Sequence, residues 1–279
     1  MPLSFTVHPP VPDATGPIND LVLIHGWGMH CGVFQPCIDQ WRQHFRVLTL
    51  DLPGHGLNHQ IPLTCDMSGL CDEIIHALDR VGPVQCPATW LGWSLGGQVT
   101  LSISLSHPQR VSRLVLVSST PKFVVAPDWP DGMPDETFAS FASDLEFDHQ
   151  ATWKRFLMLE THGAKTPRQD LRQLHTLAAE HPAPSQTTLA SGLELLRTND
   201  LRSRASTVIQ PTLVISGQRD RLVPPAAAQW LAERIPKAEL ELMARCGHAP
   251  FIGAPQRFIQ RVCAFAQNSS ASQPVAGYV

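Results

Sequence analysis

Residues 88–107 read Ala-Thr-Trp-Leu-Gly-Trp-Ser-Leu-Gly-Gly-Gln-Val-Thr-Leu-Ser-Ile-Ser-Leu-Ser-His. The first five, Ala88–Gly92, form a short apolar run of the kind that builds a buried strand. Gly96–His107 has helical character and stops at Pro108. Between them lies Gly92-Trp93-Ser94-Leu95-Gly96, a G-x-S-x-G followed by Gly97. A turn this tight between a strand and a helix strains the central serine and presents its Oγ, while a side chain at either glycine would strike neighbouring backbone. The pentapeptide alone is a weak signal. Its place between a strand pattern and a helix pattern makes it a candidate nucleophile turn.

The same rhythm extends in both directions. Leu21–His25, Val47–Asp51, Leu114–Ser118, Thr212–Ser216 and Glu239–Met243 are further strand candidates. Helical patterns cover Ser68–Val81, Ala226–Ile235 and Gln256–Ala266. Strands alternating with helices predict an α/β chain with a mostly parallel central sheet flanked by helices. Residues 121–204 break the alternation and read as helices only: Phe138–Asp144, Gln150–His162, one starting at Thr166, and Ser185–Thr198. At the third, Pro167 and Gln169 suggest a capping box on Thr166. The predicted organisation is a core of 1–120 and 205–266, an all-helical lid over 121–204, and a disordered polar tail over 267–279.

A serine hydroxyl needs a base in hydrogen-bond reach, and the base needs an orienting carboxylate. On this kind of sheet the chain order is Ser, acid, His. Asp220 follows the strand candidate Thr212–Ser216, and His248 follows Glu239–Met243. Ser94, Asp220 and His248 are therefore the predicted triad. His25-Gly26-Trp27-Gly28 ends the first run, and the amides of Trp27 and Leu95 are the candidate oxyanion hole. The Asp51–Gly56 turn is read as structural.

Composition narrows the remaining classes. The 279 residues carry 21 Lys and Arg against 24 Asp and Glu, a formal net charge of −3, with 43 % hydrophobic residues. That excludes a disordered chain and disfavours a general nucleic-acid binder. The 25 prolines, about 9 % against a usual ~5 %, predict many stops and turns. No run of eighteen apolar residues and no basic-then-apolar leader pattern is present, so a cytoplasmic protein without a membrane segment is expected. Seven cysteines without C-x-x-C spacing predict free thiols, and no histidine spacing calls for a metal. No cofactor is expected. Charge is uneven, however. Residues 126–150 hold seven acids and no Lys or Arg, while 151–175 hold five bases against Glu160 and Asp170.

In order, HGWG, DLPGHG, GWSLGG, GQRD and GHAPF resemble the α/β-hydrolase superfamily, over roughly Leu21 to Phe265. The strings SSTPKF, DWP, RFLMLET, RQDLR and GLELLRTNDLR resemble the pimeloyl-acyl-carrier-protein methyl ester esterase family. That resemblance implies a serine carboxylesterase of biotin synthesis, acting on a methyl ester carried by acyl carrier protein, without cofactor and as a monomer. It implies that Trp27 and Leu95 contact the ester and that Phe156, Leu157, Met158, Leu159 and Glu160 line an acyl tunnel. It also implies that Arg155, Arg168 and Arg172 meet the acidic carrier. Arg168, Arg172 and His175 share one helix face, as such docking needs. Ala151, Glu160 and Asn58 depart from the arginine, glutamine and serine common in that family. Met1–Asp20 has no evident role. Relatives with dehalogenase or epoxide-hydrolase chemistry carry aspartate where Ser94 stands. Two other readings remain open: a general short-chain esterase or lactonase without a carrier, and a non-catalytic small-molecule receptor on the same scaffold.

Overall fold

Alternation along the central strands sorts their side chains between two cores. In the computed structural model, which describes residues 2–12, 18–81 and 87–267, Val22, Ile24, Trp90, Leu114 and Leu116 pack into one buried cluster. Leu21, Leu23, Leu91, Trp93, Val115 and Val117 pack into the other. Successive strand residues point to opposite faces, so a strand buried on both faces reads as a continuous apolar run.

Seven strands form the sheet: β1 (Thr6–His8), β2 (Asn19–Ile24), β3 (Phe45–Leu50), β4 (Ala88–Trp93), β5 (Val111–Val117), β6 (Thr212–Gly217) and β7 (Ala238–Met243). Their order is β1-β3-β2-β4-β5-β6-β7, with β1 antiparallel to β3 and every other pairing parallel. Six of the seven are the strands expected from sequence. The seventh, β1, gives part of Met1–Asp20 a structural role. It pairs Thr6 with Thr49, while Leu3 is buried and its carbonyl accepts from Arg80 Nη2 at 2.8 Å. Asn58 secures the same segment: its Nδ2 donates to Ser4 O at 3.0 Å and to Asp51 O at 2.6 Å, and its Oδ1 accepts from Ser4 N at 3.2 Å. At the opposite edge, Glu239 and Glu241 of β7 pair with Arg261 and Arg257. Charged side chains of this kind blunt an edge strand against pairing with another chain.

Ten α-helices complete the described residues. Before β5 come α1 (Gln35–Trp41), α2 (Met67–Asp79) and α3 (Leu95–Ser106). Between β5 and β6 lie α4 (Asp135–Phe147), α5 (His149–Glu160), α6 (Pro167–Ala178) and α7 (Gln186–Thr198). After β6 come α8 (Pro225–Arg234), the single turn α9 (Pro250–Gly253) and α10 (Pro255–Gln267). The sequence did not announce α1 or α9. Both are too short to develop a 3.6-residue period. Helix α4 runs well beyond the expected Phe138–Asp144.

The expected capping box at Thr166 does not form. Thr166 Oγ1 donates to Asp170 Oδ1 at 2.7 Å and caps no backbone amide. An acid one turn into the helix outcompetes Gln169 for the hydroxyl. Helices α5 and α7 do carry side-chain caps, Asp148 on Ala151 N at 3.0 Å and Ser185 on Thr188 N at 3.2 Å. Gln267 ends α10 rather than starting a tail, and residues 268–279 lie outside the described residues. The six described cysteines are free thiols, and Cys86 also lies outside. Among the described residues, no helix is long and apolar enough to cross a membrane.

Candidate active site

Ser94 sits between β4 and α3 with φ 55° and ψ −115°, a conformation that L residues seldom adopt. Such a residue stores on the order of 1–3 kcal/mol and persists only where its surroundings fix it. Three contacts do so. Ser94 N donates to Val117 O at 2.9 Å, and Ser94 O accepts from Gly97 N and from Ser119 Oγ, both at 2.9 Å. Crowding explains the two glycines of the pentapeptide. A Cβ on Gly92 would lie 2.1 Å from Gly96 O, and one on Gly96 would lie 2.4 Å from both Ile24 O and His25 O.

The loops after β6 and β7 bring Asp220 and His248 together. Asp220 Oδ2 accepts from His248 Nδ1 at 2.8 Å, with both side chains wholly buried. Asp220 Oδ1 accepts from the amides of Leu222 (2.9 Å) and Val223 (3.0 Å), which fixes the carboxylate. With Nδ1 donating to a carboxylate, the imidazole presents Nε2 as the free base. That Nε2 is buried and makes no hydrogen bond among the described residues. The Ser94 hydroxyl is thus not engaged with it in this arrangement. Such bonds are commonly long or absent in free enzymes and close when substrate binds.

Two partners that sequence reasoning did not find hold the main chain of His248. Trp93 Nε1 donates to His248 O at 2.9 Å, with its ring 5.8 Å from the imidazole. His248 N donates to Glu160 O at 2.9 Å, which ties the histidine loop to the end of α5. Trp93 belongs to the quoted pentapeptide, but no local pattern signals a bond spanning 155 residues.

The amides of Trp27 and Leu95 donate to no other described residue. The Trp27 side chain is fully packed. Its Nε1 donates to Leu189 O at 2.9 Å, and its ring meets Phe156 at 4.7 Å and Phe141 at 5.5 Å. Trp153 Nε1 donates to Gly28 O at 2.7 Å. The glycine-rich loop is thus tied to α5 and α7. The Asp51–Gly56 turn is structural, as read. Asp51 takes the amides of Cys31 (2.7 Å) and Leu57 (2.9 Å). His25 Nε2 accepts from Leu52 N at 2.9 Å, and burial lowers the His25 and His55 pKa values to about 3, so both rings are neutral.

The five consecutive residues expected to line an acyl tunnel diverge around their helix. Phe156 and Leu159, one turn apart, line an apolar cavity of about 50 Å³ with Phe141, Leu193 and Leu222. Leu157 points into the opposite core cluster, and Met158 is half exposed. Glu160 does not line this cavity either. Its carboxyl is buried, with Oε2 unpartnered, and burial reinforced by the negative Asp220 raises its pKa well above the carboxylate range. A 3.6-residue period cannot place five successive side chains on one wall. The three arginines also separate. Arg155 is paired with Asp144 across α4 and α5, whereas Arg168 and Arg172 are exposed on α6.

A family profile described as the alpha/beta hydrolase family matches residues 21–261. The chain belongs to this family. Among its relatives is the pimeloyl-acyl-carrier-protein methyl ester esterase of Nitrosomonas europaea, 40 % identical over 249 residues, covering 88 % of this chain and 95 % of that protein. A protein of the same name from Yersinia enterocolitica is 40 % identical over 251 residues, covering 90 % and 94 %. Among solved structures, an esterase from Exiguobacterium antarcticum superposes with a TM-score of 0.81 at 23 % identity, covering 95 % of this chain and 96 % of that one. At that identity the likeness speaks for the fold.

Proposed function

We propose that this protein is a serine carboxylesterase that hydrolyses the methyl ester of a pimeloyl chain borne on acyl carrier protein, a step of biotin synthesis. The observation that carries the reading is the identity of about 40 %, over some nine-tenths of the chain, to relatives of that name. The Asp220–His248 pair and the strained Ser94 turn support it, because a hydroxyl, a base and an orienting carboxylate are the groups such a reaction needs.

In this reading His248 Nε2 takes the proton from Ser94 Oγ as the oxygen attacks the ester carbonyl. The amides of Trp27 and Leu95 receive the developing oxyanion. Protonated His248 then gives its proton to the departing methoxide, and methanol leaves. Water, deprotonated by the same nitrogen, opens the acyl-enzyme and restores Ser94. Asp220 holds the tautomer and stabilises the imidazolium. Helices α4–α7 act as the lid. The apolar cavity beside Leu222 receives methylenes, and no cofactor takes part. The protein works as a monomer in the cytoplasm.

Complementation tests this reading. Expression should rescue a biotin auxotroph that lacks the esterase, and the Ser94→Ala variant should not. Failure of the wild-type chain to rescue, or rescue by Ser94→Ala, would contradict it.

A further inference from the structure

Gln98 carries a buried amide that the chemistry at Ser94 does not use. It stands in the first turn of α3, one turn after the nucleophile, and is wholly buried. A buried amide destabilises a fold unless it is hydrogen-bonded. Gln98 is bonded at both ends. Its Nε2 donates to Thr120 O at 3.1 Å, and its Oε1 accepts from Asn199 Nδ2 at 3.2 Å. These partners stand at the two feet of the lid, Thr120 just after β5 and Asn199 at the C-terminal cap of α7.

The feet are fastened to each other. Leu201 N donates to Pro121 O at 2.8 Å, and Lys122 pairs with Asp200 at 3.7 Å. Each foot also reaches towards the site. On the entry side, Ser119 Oγ donates to Ser94 O at 2.9 Å, and the same carbonyl accepts from Gln98 N at 3.2 Å. On the exit side, Leu193 and Leu196 of α7 line the apolar cavity and lie within two turns of Asn199. A contiguous path therefore runs from the cavity wall along α7 to Asn199, across to Gln98, and through the first turn of α3 to the strained Ser94. Chains of packed side chains and hydrogen bonds of this kind carry coupling between sites.

We propose that Gln98 is a positioning residue that couples filling of the apolar cavity to the setting of the Ser94 turn. An acyl chain in the cavity packs on Leu193 and Leu196 and steadies the end of α7. Asn199 then steadies Gln98, and α3 holds the Ser94 carbonyl at the backbone angles that present Oγ. Binding energy from the remote end of the substrate is thereby spent at the reacting centre, so a truncated substrate loses kcat and not only affinity. The proposal rests on the Ser94-dependent ester hydrolysis above, whatever group bears the acyl chain.

The test compares kcat for methyl heptanoate, which carries methylenes into the cavity, with kcat for methyl acetate, which has none to place there. The ratio of the two cancels any general loss of activity. Gln98→Met keeps the length of the side chain and removes both of its hydrogen bonds. It should lower the heptanoate-to-acetate ratio about fivefold, the worth of one ordinary hydrogen bond, with the heptanoate KM changed by less than about twofold. Asn199→Leu should produce the same fall, and the double variant no larger one, because both substitutions cut a single link. Asn199 is only partly buried, so its variant carries the test where Gln98→Met does not fold. Equal losses on both esters, a change confined to KM, or additive falls in the double variant would overturn the coupling. So would a wild-type enzyme that turns over the two esters at the same rate. A wild-type enzyme that hydrolyses neither ester would overturn the proposed function itself, and the coupling with it.

Discussion

Replacing Glu160 with Gln should stabilise the protein by an amount that grows with pH. The Glu160 side chain is 1 % exposed, its Oε2 has no partner, and Asp220 lies close enough to oppose its ionisation. In the unfolded chain the same carboxyl titrates near 4.3. Below that pH both states hold the proton, and the group favours neither. Above it the unfolded chain ionises while the folded one keeps its proton, so the fold binds more protons and loses stability as pH rises towards the raised folded value. The slope is about 1.4 kcal/mol per pH unit. The glutamine side chain of the Glu160→Gln variant has no proton to lose, and the main-chain carbonyl at this position can still accept from His248 N. Relative to wild type, the variant should therefore gain stability between pH 5.5 and 6.5, by at most about 1.4 kcal/mol. Urea unfolding of both proteins at these two pH values measures the difference directly. A stability gap that does not change with pH would refute the buried, protonated Glu160.

Other expectations concern the triad and its supports. Ser94→Ala should abolish ester turnover with an unchanged melting temperature, as read by activity assay and calorimetry; residual turnover near wild type would exclude Ser94 as nucleophile. Asp220→Asn should lower kcat by about 10⁴-fold, because the wrong imidazole tautomer is then favoured; steady-state kinetics on a free methyl ester would show it. Asn58→Ala removes bonds to Ser4 and Asp51 and should cost about 1–3 kcal/mol in urea unfolding, with early proteolysis of the N-terminal segment. Gly96→Ala should prevent stable folding or displace β2 from α3, since its Cβ would meet two carbonyl oxygens at 2.4 Å; soluble yield and circular dichroism decide it.

What can be read from sequence follows the reach of each signal. The parallel strands and the Ser94 turn are legible because their cause is local: apolar runs buried on both faces, and glycines where a Cβ has no room. Asp220 and His248 can be placed because each follows a strand at the sheet's carboxyl edge, although their contact is long-range. Strand β1 escapes because three residues carry no period, and its anchors, Asn58 and Arg80, lie far along the chain. The tunnel string Phe156–Glu160 reads as a unit in the sequence, whereas the helix turns Leu157 and Met158 away from the cavity. Arg155 groups with Arg168 and Arg172 by charge alone. Its pairing with Asp144 depends on how α4 and α5 pack, which no spacing encodes.

The central claim is tested most directly by following both ends of a pimeloyl methyl ester held on acyl carrier protein. Incubation with the purified enzyme should release one methanol per turnover and leave the free carboxylate still joined to the carrier, as read by mass spectrometry of the intact carrier. Release of the acyl chain from the carrier with the methyl ester intact, or no reaction at all, would contradict the account.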